Sequence, residues 1–355
     1  MSRSIPQVIS IVAIVAGVAL FVVTMLGIDR AETIHEVRTL GFKLPLVLLP
    51  SVGWHLLRAA GWYVSFPAGE RPSYWRVFRV RLAADGVGYF TIRGVASEPL
   101  RVVLLMGRVS PVVSAAASVL ERTAMGIMSV IGVGIFAAIA VSTNLLPGAW
   151  HDVFQGIAWT STVVLFVTLL FFLRTGRYFG PLVEAIHRRT GWRWAGGRTV
   201  RVISAVEDLF LKLARTEPRR IVALVALAVA CYWLMAVEVF LVFWAIDQPI
   251  SLYLGAIVET FTRSASVAGG AIPGNLGALE ASNVAVVKAL GLAGGGTLAL
   301  FRRVRSLLFA SLGLALYPRD TITSAPPPAS QGTSPTPPAA QGTSPTPPAS
   351  QAPQA

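Results

Sequence analysis

The sequence predicts an all-α fold, a polytopic membrane helix bundle with two interrupted, re-entrant regions arranged as an inverted repeat. Three observations predict it. Of the 355 residues, 54% are hydrophobic and only 13% charged, with a mean hydropathy of +0.65, too apolar for a soluble chain of this length. Several apolar runs approach or exceed the roughly 20 residues that a spanning helix needs. Two further apolar stretches are broken by glycine, proline and charge in similar layouts.

The run 5–28 is longer than a signal-peptide core and has no small-residue cleavage site at its end, so a retained helix is expected there. Further spans are expected at 40–57, 119–141, 157–173, 221–246 and 297–317. The interrupted stretches are 77–113, which holds Arg79, Arg81, Asp85, Arg93, Glu98 and Arg101, and 252–292, which holds Glu259, Arg263, Lys288 and the turn Pro273-Gly-Asn-Leu-Gly-Ala-Leu-Glu280. Residues 1–318 are read as the membrane domain. Residues 319–355 are a separate Pro/Ser/Thr-rich tail in which QGTSPTPPA is duplicated, with no apolar residues to build a core; disorder is expected.

Loop charge sets the expected orientation. Segment 174–220 is dense in arginine, whereas 142–156 has no Lys or Arg, so the first is expected in the cytoplasm and the second outside. By alternation, a 29–43 loop is external, 62–81 is cytoplasmic, and both chain ends face the cytoplasm of a bacterial cytoplasmic (inner) membrane. Within 174–220, Val202, Ile203, Val206, Leu209, Phe210 and Leu213 recur at helical spacing, the pattern of a helix lying on the inner leaflet. The same basic loops and anionic lipid account for the formal charge of +13. No aromatic-interleaved basic module is present, so nucleic acid is not an expected partner. The single cysteine, Cys231, has no internal disulfide partner, and the four histidines lack ligand spacing, so neither metal nor cofactor is expected.

Ionisable side chains at membrane depth cost about 2.5–3.5 kcal/mol even on mild scales, which makes them candidates for function. In the first half Ser97-Glu98-Pro99 opens a helix, Arg101 follows, and Glu121-Arg122 stands 24 positions after Glu98 (122 − 98). In the second half Gly274 and Gly277 break the chain, Glu280 follows, and Arg302 stands 22 positions further on (302 − 280). Loop charges place the first broken stretch as entered from the cytoplasm and the second from outside, the layout of an inverted repeat around a midplane site. Glu98, Arg101, Glu121, Arg122, Gly274, Gly277, Glu280 and Arg302 are therefore the expected substrate-binding residues. Arginines suit a lipid phosphate because they bind it bidentately, and a carboxylate can exchange a proton or hold arginines apart when the site is empty. The glycine turn would free N–H groups for an anion at the next helix N-terminus. The competing structural reading is that buried ion pairs merely fix helix register. Glu259 and Arg263, at i and i+4, read as such a pair, and Glu238 must find its partner across helices.

Ser97-Glu98-Pro-Leu-Arg101 with the later Glu121-Arg122 resembles the G-E-x-x-R and E-R signature of the lysylphosphatidylglycerol synthase transmembrane-region family, also described as flippase-like. Pro273 to Glu280 resembles its G-G-x-G-x-x-E motif, and Leu300-Phe301-Arg302 its aromatic-Arg pair. Ser97, Pro99 and Pro273 depart from the pattern. The resemblance implies movement of a lipid or lipid-linked headgroup between leaflets. The substrate class it allows is broad: phospholipid, hopanoid or polyprenyl-linked. Two other functions compete. One is a membrane-embedded glycosyl or phosphoryl transferase, for which Asp29, Glu32 and Glu36 are the only external acidic candidates. The other is an accessory scaffold that holds a lipid-modifying enzyme through the tail. The absence of a soluble catalytic domain after Tyr317 favours transport over enzyme chemistry.

Overall fold

The computed structural model describes residues 18–19, 21–24, 26–27, 30–91, 96–173, 179–191 and 197–317. Most of the expected helix at 5–28, and all of the tail, lie outside them. The described residues are helices and turns with no strand. Four segments are long and apolar enough to cross a membrane: Thr33–Ser65, Pro111–Ser142, Gly148–Leu170 and Pro218–Ala245.

Helix α1 spans Arg30–Ser65. The expected external loop at 29–43 is thus corrected to helix. Its charges are no obstacle, because Glu36 turns inward, 5% exposed, and accepts hydrogen bonds from Thr297 and Gln248. The first interrupted stretch is a hairpin of α2 (Tyr74–Tyr89) and α3 (Ser97–Leu105), followed by the long α4 (Pro111–Ser142). Proline opens α4, where its missing N–H costs nothing.

Helix α5 (Gly148–Leu173) packs on α4 and presents Trp159, Val163, Phe166 and Leu169 outward, as a lipid-facing helix does. Two amphipathic helices follow, α6 (Phe179–Thr190) and α7 (Gly197–Thr216). The second is the expected surface helix, and it seats Leu209 against Ala116 and Leu120 of α4. The first was not foreseen.

The second half opens with α8 (Pro218–Ala245). A hairpin of α9 (Leu252–Ala268) and α10 (Ala278–Ala289) follows, and α11 (Gly295–Ala315) closes the bundle. The packing is crossed. Helix α1 lies along α8, while the α2–α3 hairpin leans on α11 through α2 and the α9–α10 hairpin leans on α4 through α9. The α2–α11 approach is close enough to require glycine. A Cβ at Gly313 would lie 2.1 Å from the Leu82 carbonyl oxygen, and one at Gly86 would lie 2.7 Å from that of Ala310.

Candidate functional site

The second break is a backbone device. Helix α9 ends at Ala268, two short 3-10 turns follow, and Gly274 (φ 61°) and Gly277 (φ 79°) take left-handed conformations that disfavour any residue with a Cβ. Asn275 shares that region at φ 51° and steadies the turn by donating to Ser266 Oγ at 2.7 Å. Glu280 stands in the first turn of α10 and accepts from the Gly277 N–H at 2.8 Å, so the helix caps its own positive end. The expected anion cradle is corrected here, because the protein's own carboxylate takes that donor. Arg303 pairs with Glu280 from the other side. It also donates to the Tyr89 hydroxyl at 2.6 Å and the Gly274 carbonyl at 3.2 Å, tying the tip of one hairpin to that of the other.

At the first break, Glu98 lies in the first turn of α3, where an acid suits the helix dipole. It contacts Arg101 at 3.2 Å, pairs with Arg122, and accepts from Ser118 Oγ at 2.6 Å. Arg101 is 1% exposed and reaches Asp85 at 2.6 Å, with its guanidinium over the Trp62 ring.

Behind these lie two buried three-helix knots. In the first half Glu121 of α4, fully buried, sits between Arg58 of α1 at 2.9 Å and Arg81 of α2 at 3.4 Å. In the second half Arg302 of α11, 2% exposed, sits between Glu259 of α9 at 2.6 Å and Glu238 of α8 at 3.6 Å. Corresponding members stand 180 (238 − 58), 178 (259 − 81) and 181 (302 − 121) positions apart, and every sign is reversed. The outer pairs keep their signs: Glu98 and Glu280 are 182 apart (280 − 98), Arg122 and Arg303 are 181 apart (303 − 122).

Between the two hairpin tips is a cavity of about 360 Å³. Arg58, Arg81, Arg101, Arg122, Arg305 and Asp85 supply its charged lining, with Trp54, His55 and Phe309 as an aromatic wall. Its volume lies at the lower end of the range of ligand pockets, which start at about 300 Å³.

Of the eight expected residues, Arg101, Arg122 and Gly274 line this cavity. Glu98, Glu121 and Glu280 stand behind it as partners of arginines, Gly277 shapes the turn, and Arg302 is locked in the second knot. The partner of Glu280 is Arg303, not its neighbour Arg302. Arg58, Arg81, Asp85 and Arg305 were missed as site residues. The available signal was an ionisable side chain within or bordering an apolar run, visible at Arg58 in His55-Leu-Leu-Arg58 and at Arg305 inside the last span. The pairing of Glu259 with Arg263 is present at 2.7 Å, and Glu238 finds Arg305, Arg302 and Ser51 across helices. Among the described residues no group of three or more His, Cys, Asp or Glu side chains is placed to hold a metal.

The chain matches the family model described as the lysylphosphatidylglycerol synthase TM region over residues 8–313. It belongs to that family and is an integral membrane protein with several candidate spans. No curated protein and no solved structure matches it.

Proposed function

We propose that this member of the lysylphosphatidylglycerol synthase TM-region family carries a lipid or lipid-linked headgroup between leaflets through the cavity between its hairpin tips. The observation that supports this most is that both chain breaks face one arginine-lined space. Irregular backbone at membrane depth is tolerated where it is buried in protein or lines a wet cavity, and in this reading the two breaks line such a cavity. The matching offsets, the crossed packing and the loop charges fit an inverted-topology repeat, with α2–α3 entered from the cytoplasm and α9–α10 from outside. In this reading 174–220 and the chain ends lie on the inner side of a bacterial cytoplasmic membrane. Arg101 and Arg122 hold the headgroup phosphate, Glu98 restrains them when the site is empty, and Glu280 with Arg303 shuts the opposite side.

The test is leaflet translocation in reconstituted vesicles with anionic, zwitterionic and polyprenyl-linked fluorescent lipids. At least one lipid should cross faster than in protein-free vesicles, and Arg101→Ala and Glu280→Gln should each slow it tenfold or more, the order expected for loss of a buried charged contact of about 1.5–3 kcal/mol. Equal rates with and without protein sink the proposal.

A further inference from the structure

The ion pairs around the cavity have an odd stoichiometry. In the first half they run as one alternating chain, Arg58 to Glu121 to Arg81 to Asp85 to Arg101 to Glu98 to Arg122. That is four guanidinium groups and three carboxylates. In the second half they run Arg263 to Glu259 to Arg302 to Glu238 to Arg305, three guanidinium groups and two carboxylates. The Glu280–Arg303 pair adds no net charge. Each chain therefore ends one positive charge in excess among the described residues. The first chain lines the cavity through four arginines and the second through Arg305.

These charges cannot be removed by deprotonation, because a guanidinium keeps its proton under all ordinary conditions. Their burial is expensive unless a counter-charge arrives. Arg81 and Arg101, 2% and 1% exposed, line the cavity, and both are already paired with Asp85. A ligand with several acceptor oxygens would meet the more exposed guanidinium groups of the lining, Arg122 and Arg305.

We infer that the cavity takes a doubly charged phosphate, a phosphomonoester or diphosphate headgroup, with one negative charge for each ion-pair chain. A phosphodiester, with a single charge, satisfies only one of them. This deepens the translocation proposal and rests on it only in treating the cavity as the ligand's seat. The space admits the phosphate with one small substituent.

The inference also says which arginines can be removed while every carboxylate keeps a cation, Glu98 retaining Arg101 and Glu238 retaining Arg302. Deleting Arg122 leaves the first chain with three charges of each sign, and deleting Arg305 leaves the second with two of each. Both variants should fold, because no buried carboxylate outnumbers its cations.

Binding is read by tryptophan fluorescence of the full chain in nanodiscs of zwitterionic lipid, Trp54 lying on the cavity wall. At about pH 8.5 a phosphomonoester, whose second pKa is about 6, is doubly ionised. The probes are dioctanoyl phosphatidate, dioctanoyl phosphatidylglycerol and inorganic phosphate. Phosphatidate should bind roughly tenfold or more tighter than phosphatidylglycerol, an increment equal to one charge-assisted contact. Arg122→Gln and Arg305→Gln should each narrow that ratio, and the double variant should abolish it. Equal affinity of the wild type for the two lipids, or a double variant that keeps the ratio, overturns the inference. Phosphate binding as tightly as phosphatidate upholds the dianion site and counts against a lipid as its ligand. Translocation without dianion preference would sink this inference alone, and dianion preference without translocation would sink only the proposed function.

Discussion

The Glu98–Arg122 and Glu280–Arg303 pairs occupy corresponding places in the two halves, yet one is open and the other shut. Glu98 and Arg122 have side chains 26% and 41% exposed; those of Glu280 and Arg303 are 1% and 12% exposed. The further ties of the open pair, Glu98 to Arg101 and Ser118, stay within the first half, whereas Arg303 of the shut pair joins Tyr89 and Gly274 on the facing hairpin tips. Related residues therefore do different work in this conformation. Under the translocation proposal, the reverse arrangement, with Arg122 shut and Arg303 open, is the other end of the transport cycle. The inner knots behave in the opposite way. Their signs are reversed between halves, but both are closed and buried. A register lock needs only alternating charge, so either sign pattern serves. The outer pairs, by contrast, keep their signs, Glu98 matching Glu280 and Arg122 matching Arg303.

The largest effect expected from this contrast is on the knots. Glu121→Leu takes from Arg58 its carboxylate and leaves Arg81 only Asp85, and Arg302→Leu leaves Glu259 only Arg263 and Glu238 only Arg305; each should cost about 3 kcal/mol, the low end of the penalty for breaking a buried pair from one side. Thermal unfolding in detergent, followed by size-exclusion chromatography, reads it. A wild-type midpoint in either variant would mean that the knots do not hold the halves in register.

Next in size is the split between the outer pairs. Glu280→Gln weakens the N-terminal cap of α10 and leaves Arg303 without its carboxylate, at about 2–3 kcal/mol, whereas Glu98→Gln, on the more exposed pair, should cost about 1 kcal/mol or less. If the two midpoints fall in the reverse order, the open and shut assignments are wrong. A steric effect falls between those two. Gly313→Ala should lose about 1–3 kcal/mol by forcing α11 away from the Leu82 carbonyl, and an unchanged midpoint would show that the α2–α11 seam is not tightly packed.

Much of the fold was legible because long apolar runs with a glycine or proline at their ends have few other ways to hide their backbone. The expected boundaries at 119–141, 157–173, 221–246 and 297–317 fall within or nearly match α4, α5, α8 and α11. The 29–43 segment misled because its charges read as loop, although Glu36 was destined for a buried contact 261 positions away. Local pairs could be read at i+3 and i+4, as Glu98 with Arg101 and Glu259 with Arg263 were. The choice between Arg302 and Arg303 could not. Adjacent helical residues point about 100° apart, and only the rotation of α11 against α9 and α10 decides which one meets Glu280.

By itself the sequence determined that this chain is a membrane helix bundle, that its two apolar hairpins are broken near Glu98 and Glu280, and that arginine and glutamate are concentrated there. Composition and local spacing suffice for that, since lipid leaves the backbone few options. Only the tertiary structure decided that Arg58 and Arg81 share Glu121, that Glu238 and Glu259 share Arg302, and that the hairpin tips face one cavity. Those pairings cross 40 to more than 60 positions of chain, and helix rotation and crossing, which no local pattern encodes, select among many possible partners of the same charge.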